Sequence, residues 1–176
     1  FWKLGFTPEK RFEHDGNLFT RPAYTIPKFT LNWQPTNIDY RIIDPPPGVG
    51  KYRPAPGLPA AAFYSRPDHD SLTDTVTIVE GSKKSMVVNL WQGSDNQVIG
   101  IPGCSSWAGV DNTVKSCGRV YIALDPDARQ WALKLARAIG QTARIVILPV
   151  KPDDAFTLHG MTSTDWQRAL RQGARI

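Results

Sequence analysis

Residues 75–81 read Thr75-Val76-Thr77-Ile78-Val79-Glu80-Gly81, a β-branched run closed by an acid and a glycine. Such a short run predicts a strand buried on both faces of a sheet. The pattern downstream repeats the theme. Ser82 to Gln92 carries Met86, Val87, Leu90 and Trp91 at helical spacing. Gln97–Ile101 reads as a second strand, stopped by Pro102-Gly103, and Val120–Leu124 as a third. Ala128, Trp131, Leu135, Ala136 and Ile139 mark one face of a helix that Gly140 closes. Arg144–Leu148 is the fourth strand, ended by Pro149, and Thr164 caps a last helix carrying Trp166, Ala169 and Leu170. Strands alternating with helices at this spacing predict an α/β fold, a parallel sheet flanked by helices.

Upstream the texture differs. Fifteen prolines are too many for an all-helical protein, and 11 of them precede residue 70, so the two halves are expected to differ in architecture. Ala23–Ile26, Phe29–Trp33 and Asp39–Ile43 are β-prone runs between turn formers, the pattern of a small antiparallel unit. Residues 1–17 read as a lead-in with at most a short helix, and the polar stretch 65–74 as a linker. The expected organisation is a β-rich subdomain at 1–70 followed by an α/β domain at 71–176.

The chain has 176 residues, a formal net charge of +5 and a sequence pI near 9.4. That length suits one domain or two small units, and the basic balance favours polyanionic partners. Cys104 and Cys117 form neither a CxxC pair nor a disulfide framework and read as reduced thiols. With no run of about 18 apolar residues and no signal-peptide pattern, the expectation is a cytoplasmic protein without a membrane span. The start at Phe1 rather than Met reads as a piece of a longer protein.

Functional groups of parallel α/β sheets gather beyond the C-terminal ends of the strands. Glu80 directly follows the first strand of this region, Thr75–Val79, and Asp125 and Asp127 follow the third, with Pro126 between them. Three carboxylates converging on one sheet edge repel one another and lose hydration unless a cation compensates them. Mg²⁺ is hard, prefers oxygen ligands, and keeps waters that substrate phosphates replace. The competing reading is that each acid only caps the next helix.

Thr77-Ile78-Val79-Glu80-Gly81, the intervening Ile101-Pro102-Gly103 and Ala123-Leu124-Asp125-Pro126-Asp127 resemble the TOPRIM signature of bacterial-type primases, topoisomerases, RecR-like proteins and some nucleases. The likeness runs through Leu148-Pro149-Val150-Lys151-Pro152-Asp153-Asp154 and covers roughly residues 74–175. Upstream, Ile26-Pro27 and Lys51-Tyr52 resemble the β subdomain that precedes TOPRIM in primases and primase–helicases. Glu80-Gly81-Ser82-Lys83-Lys84-Ser85 is similar to the primase-like domains of mobile elements. One departure stands out: where cellular primases often carry a further acid, this chain has Lys84. Lysine cannot ligate the metal there, but it can neutralise phosphate, or it is a solvated helix residue.

The resemblance implies primer synthesis on single-stranded DNA from nucleoside triphosphates, with a helicase in the same or another chain as a further partner. It implies that Asp125 and Asp127 hold Mg²⁺ or Mn²⁺ and that Glu80 either ligates or serves as general acid/base. Asp153 and Asp154 are secondary metal candidates, or a polar turn. Lys83 and Lys84 are candidates for nucleotide phosphates. In the β subdomain Arg21, Lys28, Arg41, Lys51, Tyr52 and Arg53 are candidate template contacts, Arg41 and Lys51 foremost; the alternative is aromatics in a small core beneath solvated cations. Two readings compete with the primase: a TOPRIM nuclease, and a non-catalytic module that binds single strands. Three motifs lead nowhere. Pro47-Gly48-Val49-Gly50-Lys51-Tyr52 lacks the first glycine and the Ser/Thr of a phosphate loop. His14, His69 and His159 lack ligand spacing, and Gly103-Cys104-Ser105-Ser106-Trp107 has no partnered base.

Overall fold

The computed structural model describes residues 2–66, 71–92, 96–107 and 109–175. Residues 67–70 of the predicted linker, His69 among them, lie outside the described residues. The chain divides into two compact units. One holds Phe1–Thr30 with Gln34–Ala61, the other Leu31–Trp33 with Ala62–Ile176.

The first unit is a four-stranded antiparallel sheet of β1 (Gly5–His14), β2 (Asn17–Phe29), β3 (Pro35–Ile42) and β4 (Tyr52–Pro54), paired in chain order. The expected lead-in is therefore a strand. Its charges, Glu9, Lys10, Arg11 and Glu13, obscure the alternation, and a register shift between Thr7 and Lys10 breaks its period. The turn that joins it to β2 was there to be read: Asp15 and Gly16 both take positive φ, 49° and 75°, as a two-residue hairpin turn requires. Phe29–Trp33 is not a strand. β2 stops at Phe29, the Thr30 amide donates to the Gln34 carbonyl at 2.8 Å, and Trp33 sits at φ 60°. Phe12, Ala23, Ile42 and Val49 form the core, with Phe19 and Tyr40 packed on it.

The second unit contains β5 (Phe63–Tyr64), β6 (Thr75–Glu80), α1 (Ser82–Gln92), β7 (Gln97–Ile101), α2 (Val110–Thr113), β8 (Arg119–Ile122), α3 (Arg129–Ile139), β9 (Ala143–Ile145), α4 (Pro152–Thr157) and α5 (Ser163–Arg171). The sheet order is β5-β7-β6-β8-β9, parallel throughout except for β5. Both faces of the sheet are covered. Val76, Ile78, Ile99 and Ile122 pack with Leu135 and Ala136 of α3 on one side. On the other, Val79, Val98 and Tyr121 pack with Val88, Phe156 and Trp166 from α1, α4 and α5. Ile78 is fully buried, which stabilises the fold by about 1.5–3 kcal/mol.

Three expectations change here. Leu90 and Trp91 are exposed, and the inward face of α1 is Ser85, Met86, Val88 and Gln92. Polar groups face inward because they are satisfied: Ser85 donates to the Val98 carbonyl, and the Thr77 hydroxyl to Gln92. β9 ends at Ile145, three residues early, although the Val146 amide still bonds the Ile122 carbonyl of β8 at 2.9 Å. The cap of α5 is Thr162, not Thr164; Thr162 and Asp165 form a reciprocal capping box.

Candidate functional site

Glu80 is the last residue of β6, and the Gly81 amide still bonds the Ile101 carbonyl at 2.7 Å. The chain then turns sharply through Gly81, φ 83°, into α1. Gly100 makes this possible, since a Cβ there would stand 2.6 Å from the Gly81 carbonyl oxygen. Asp125 follows β8 at φ −58°, ψ 150°, before a 3₁₀ turn at Pro126–Ala128 that contains Asp127. Neither that turn nor α3 has a side-chain cap, so capping does not account for Asp125. Asp125 is buried, Glu80 half-buried and Asp127 exposed.

The cations are as informative as the acids. Lys84 Nζ lies 3.1 Å from Asp125 Oδ1, and Lys151 Nζ 3.7 Å from Oδ2. Lys83 pairs with the buried Asp153 at 2.8 Å. Lys83 and Lys84 occupy the first turn of α1, where the helix dipole opposes positive charge. A sequence that breaks this local rule is expected to gain elsewhere, here from Asp125 and Asp153. Even so, Asp153 Oδ1 is buried without a hydrogen-bond partner among the described residues, and Asp125 Oδ1 has the Lys84 ammonium beside it. Burial pushes the Glu80 carboxyl up, Asp125 and Asp127 push it further, and Lys84 and Lys151 oppose them. Asp153 and Asp154 lie in the first turn of α4, a helix rather than the polar turn that Pro152 suggested.

The structure thus brings Glu80, Asp125, Asp127, Lys84 and Lys151 into one electrostatic neighbourhood. Among the described residues no three His, Cys, Asp or Glu side chains are spaced to hold an ion as they stand. The donor set is nevertheless all carboxylate, and the orphaned Asp153 oxygen is a buried acceptor lacking a hydrogen-bond partner among the described residues. Both fit a hard divalent cation. Two neighbours escaped the sequence reading: Lys151 as a partner of Asp125, and Arg129, which with Asp125 lines a cavity of about 130 Å³. Only the three-residue step from Pro126 to Arg129 hinted at the latter.

The candidate template residues are sorted by burial. Lys28 is 2% exposed, pairs with Asp39 at 2.7 Å and donates to the Ala61 carbonyl, so it is an interior group and not a contact surface. Arg53 lies over the Phe12 ring and donates to the Glu13 carbonyl. Arg21 donates to the carbonyl of Thr20. Lys51 is exposed, Tyr52 is 41% exposed and Arg41 is half-buried. Arg41 has Tyr24 as its partner on β2 and Tyr52 on β4, and Tyr24 in turn pairs with Phe6 on β1. One row across four strands therefore presents three exposed aromatic rings and a guanidinium.

No protein-family model matches the chain, and no curated protein does. Solved structures do, and they define a class: the fold is that of bacterial DnaG-type primase catalytic cores. The E. coli primase catalytic core matches with a TM-score of 0.73 at 11% identity, over 99% of this chain and 68% of that one. The Aquifex aeolicus primase, comprising zinc-binding and RNA polymerase domains, matches at TM-score 0.68 and 15% identity, over 94% of this chain and 44% of its own. A DnaG primase catalytic domain bound to single-stranded DNA matches at TM-score 0.66 and 13% identity, over 94% and 58%. The chain thus spans less than half of the Aquifex structure. No helix among the described residues is long and apolar enough to cross a membrane.

Proposed function

We propose that this chain is the nucleotidyl-transfer core of a DNA primase or primase–helicase from a mobile element. Primer synthesis joins a 3′-hydroxyl to the α-phosphate of an incoming nucleotide, and its demands are positioning and charge compensation. The observation that carries the reading is the position of Glu80, Asp125 and Asp127 at the C-terminal ends of parallel strands in a primase-core fold, surrounded by lysines. Glu80, Asp125 and Asp127 would hold Mg²⁺ or Mn²⁺, with Asp153 and Asp154 as a second set. Bound there, the ion supplies Lewis-acid stabilisation of phosphoryl charge.

The chain's own residues do the rest. Lys84 and Lys151 balance Asp125 before substrate arrives, and their ammonium groups are suited to triphosphate oxygens afterwards. Lys83 has the same chemistry beside Asp153. Glu80 would either ligate the ion or, in place of that, serve as general acid/base toward the attacking hydroxyl. The row of Tyr24, Arg41 and Tyr52, with Lys51 next to it, suits unstacked template bases and their phosphates in a sequence-tolerant way.

The test is primer synthesis with labelled nucleotides, a single-stranded template and Mg²⁺ or Mn²⁺. Product that requires both Glu80 and Asp125 supports the proposal. Metal-dependent template degradation makes the chain a nuclease instead. Tight strand binding without catalysis, unaffected by Asp125→Ala, makes it a binding module.

A further inference from the structure

The opposite end of the second unit's sheet carries a cluster that the acidic edge does not use. Arg119 opens β8, and Arg144 lies opposite Tyr121 on the edge strand β9. The tail past α5 folds back along β9 through two bonds between Ala174 and Ile145, each 2.9 Å, and brings Arg175 to the same cavity as Arg171, the last residue of α5. Gly173 permits the approach, for a Cβ there would meet the Arg144 Cβ at 3.2 Å. Arg119, Arg144, Arg171 and Arg175 line a cavity of about 300 Å³ with Tyr121, Leu170 and Gly173.

No carboxylate lines this cavity, and none of the four guanidiniums has an acidic partner among the described residues. Arg144 is held by the Gln141 and Ala143 carbonyls, and Arg119 Nη1 reaches the Tyr121 hydroxyl at 3.4 Å. Two of the four guanidiniums are thus fixed by neutral acceptors, and none meets a carboxylate among the described residues. The like charges of Arg175 and Arg119 add to burial in depressing the Arg144 guanidinium. Fixed planar donors without a counter-anion are suited to phosphate. Tyr121 is buried, so no ring face is offered for a base, and such a site reads backbone phosphate without reading sequence. Arg119 precedes Asp125 by six residues, roughly 20 Å along an extended strand.

We infer that this cavity is a second phosphate site, one that grips the phosphodiester backbone of single-stranded nucleic acid at a distance from the acidic edge. It does not depend on the chain making primers, and its test reads binding alone. The probe is a labelled 30-mer oligo-dT, titrated by fluorescence anisotropy between 50 and 200 mM salt. Replacing Arg119, Arg171 and Arg175 together by Gln weakens binding by about tenfold or more at the lower salt and reduces the log–log salt slope by about 2. All three side chains are exposed, and the melting temperature checks the fold. An equal loss of charge at Lys115, Lys134 and Arg137 leaves affinity within about twofold.

Equal weakening in both triple variants reduces the effect to net charge and overturns the site. Unchanged affinity in the arginine variant does the same. Two further arms identify the source of the anion. If the arginine variant loses thermal stabilisation by pyrophosphate yet binds oligo-dT normally, the ligand is a free phosphate and the backbone assignment falls. If it loses only polyglutamate binding, the ligand is an acidic protein and the assignment falls likewise.

Discussion

Two lysine–aspartate pairs, one in each unit, have opposite characters. Lys28 and Asp39 meet at 2.7 Å in the first unit, and Lys28 also donates to the Ala61 carbonyl. In the second unit Lys84 and Asp125 meet at 3.1 Å, a second ammonium hovers at 3.7 Å, and Asp153 beside Lys83 keeps a buried oxygen without a hydrogen bond among the described residues. The first is a closed arrangement, whose ion pair is completed by a hydrogen bond. The second is open, with two cations sharing one carboxylate and a neighbouring Glu80 pushed up by burial and acidic neighbours. A buried pair that is fully bonded holds a fold in register, whereas one left short of partners has room for a ligand.

Mirrored substitutions break the comparison most decisively. Asp125→Asn is expected to cost more than about 100-fold in primer synthesis, since even groups behind metal ligands cost 10–100-fold. Its denaturation midpoint should stay near wild type or rise. Lys28→Met should do the reverse: about 3 kcal/mol of stability lost in urea unfolding, because Asp39 is left without its cation, with activity preserved in the folded fraction. If Lys28→Met spares stability and Asp125→Asn unfolds the chain, the two pairs have been assigned the wrong way round.

A smaller effect is expected at Lys84. Lys84→Met removes the nearer counter-ion of Asp125 and should tighten Mn²⁺ binding by about tenfold, equivalent to ~1.4 kcal/mol, in a titration followed by electron paramagnetic resonance. Weaker Mn²⁺ binding would mean that Lys84 supports the ion site instead of competing with it. The smallest effect concerns pH. Glu80 holds its proton more tightly folded than unfolded, so the native state carries the extra proton above the ordinary glutamate range. Stability therefore falls as pH rises through that window, and is highest below it. Glu80→Gln should flatten this slope and raise the melting temperature slightly at neutral pH but not at pH 4. An unchanged slope would place Glu80 in a more open setting.

How much of this was legible depended on the range of the interactions. The strand at Thr75–Glu80 and the helix at Arg129–Ile139 could be read because their periods are local. The hairpin turn at Asp15-Gly16 is equally local, but the charges and the register shift of β1 hide the alternation that would flank it. Lys28 could not be placed: a lysine between Pro27 and Phe29 looks like any surface cation until Asp39 and the Ala61 carbonyl fold over it. The same holds for α1, where Leu90 looks like core and is exposed, while Gln92 looks like surface and accepts a bond from Thr77.

By itself, then, the sequence determined that Glu80, Asp125 and Asp127 stand at strand ends, because strand termini follow from residues adjacent in the chain. Only the tertiary structure decided which cations meet those acids. Lys84 reaches Asp125 across 41 residues and Lys151 across 26, and four arginines from β8, β9, α5 and the tail line one cavity. Charge interactions depend on distance in space, and that distance is set by strand order and packing, which no local pattern encodes.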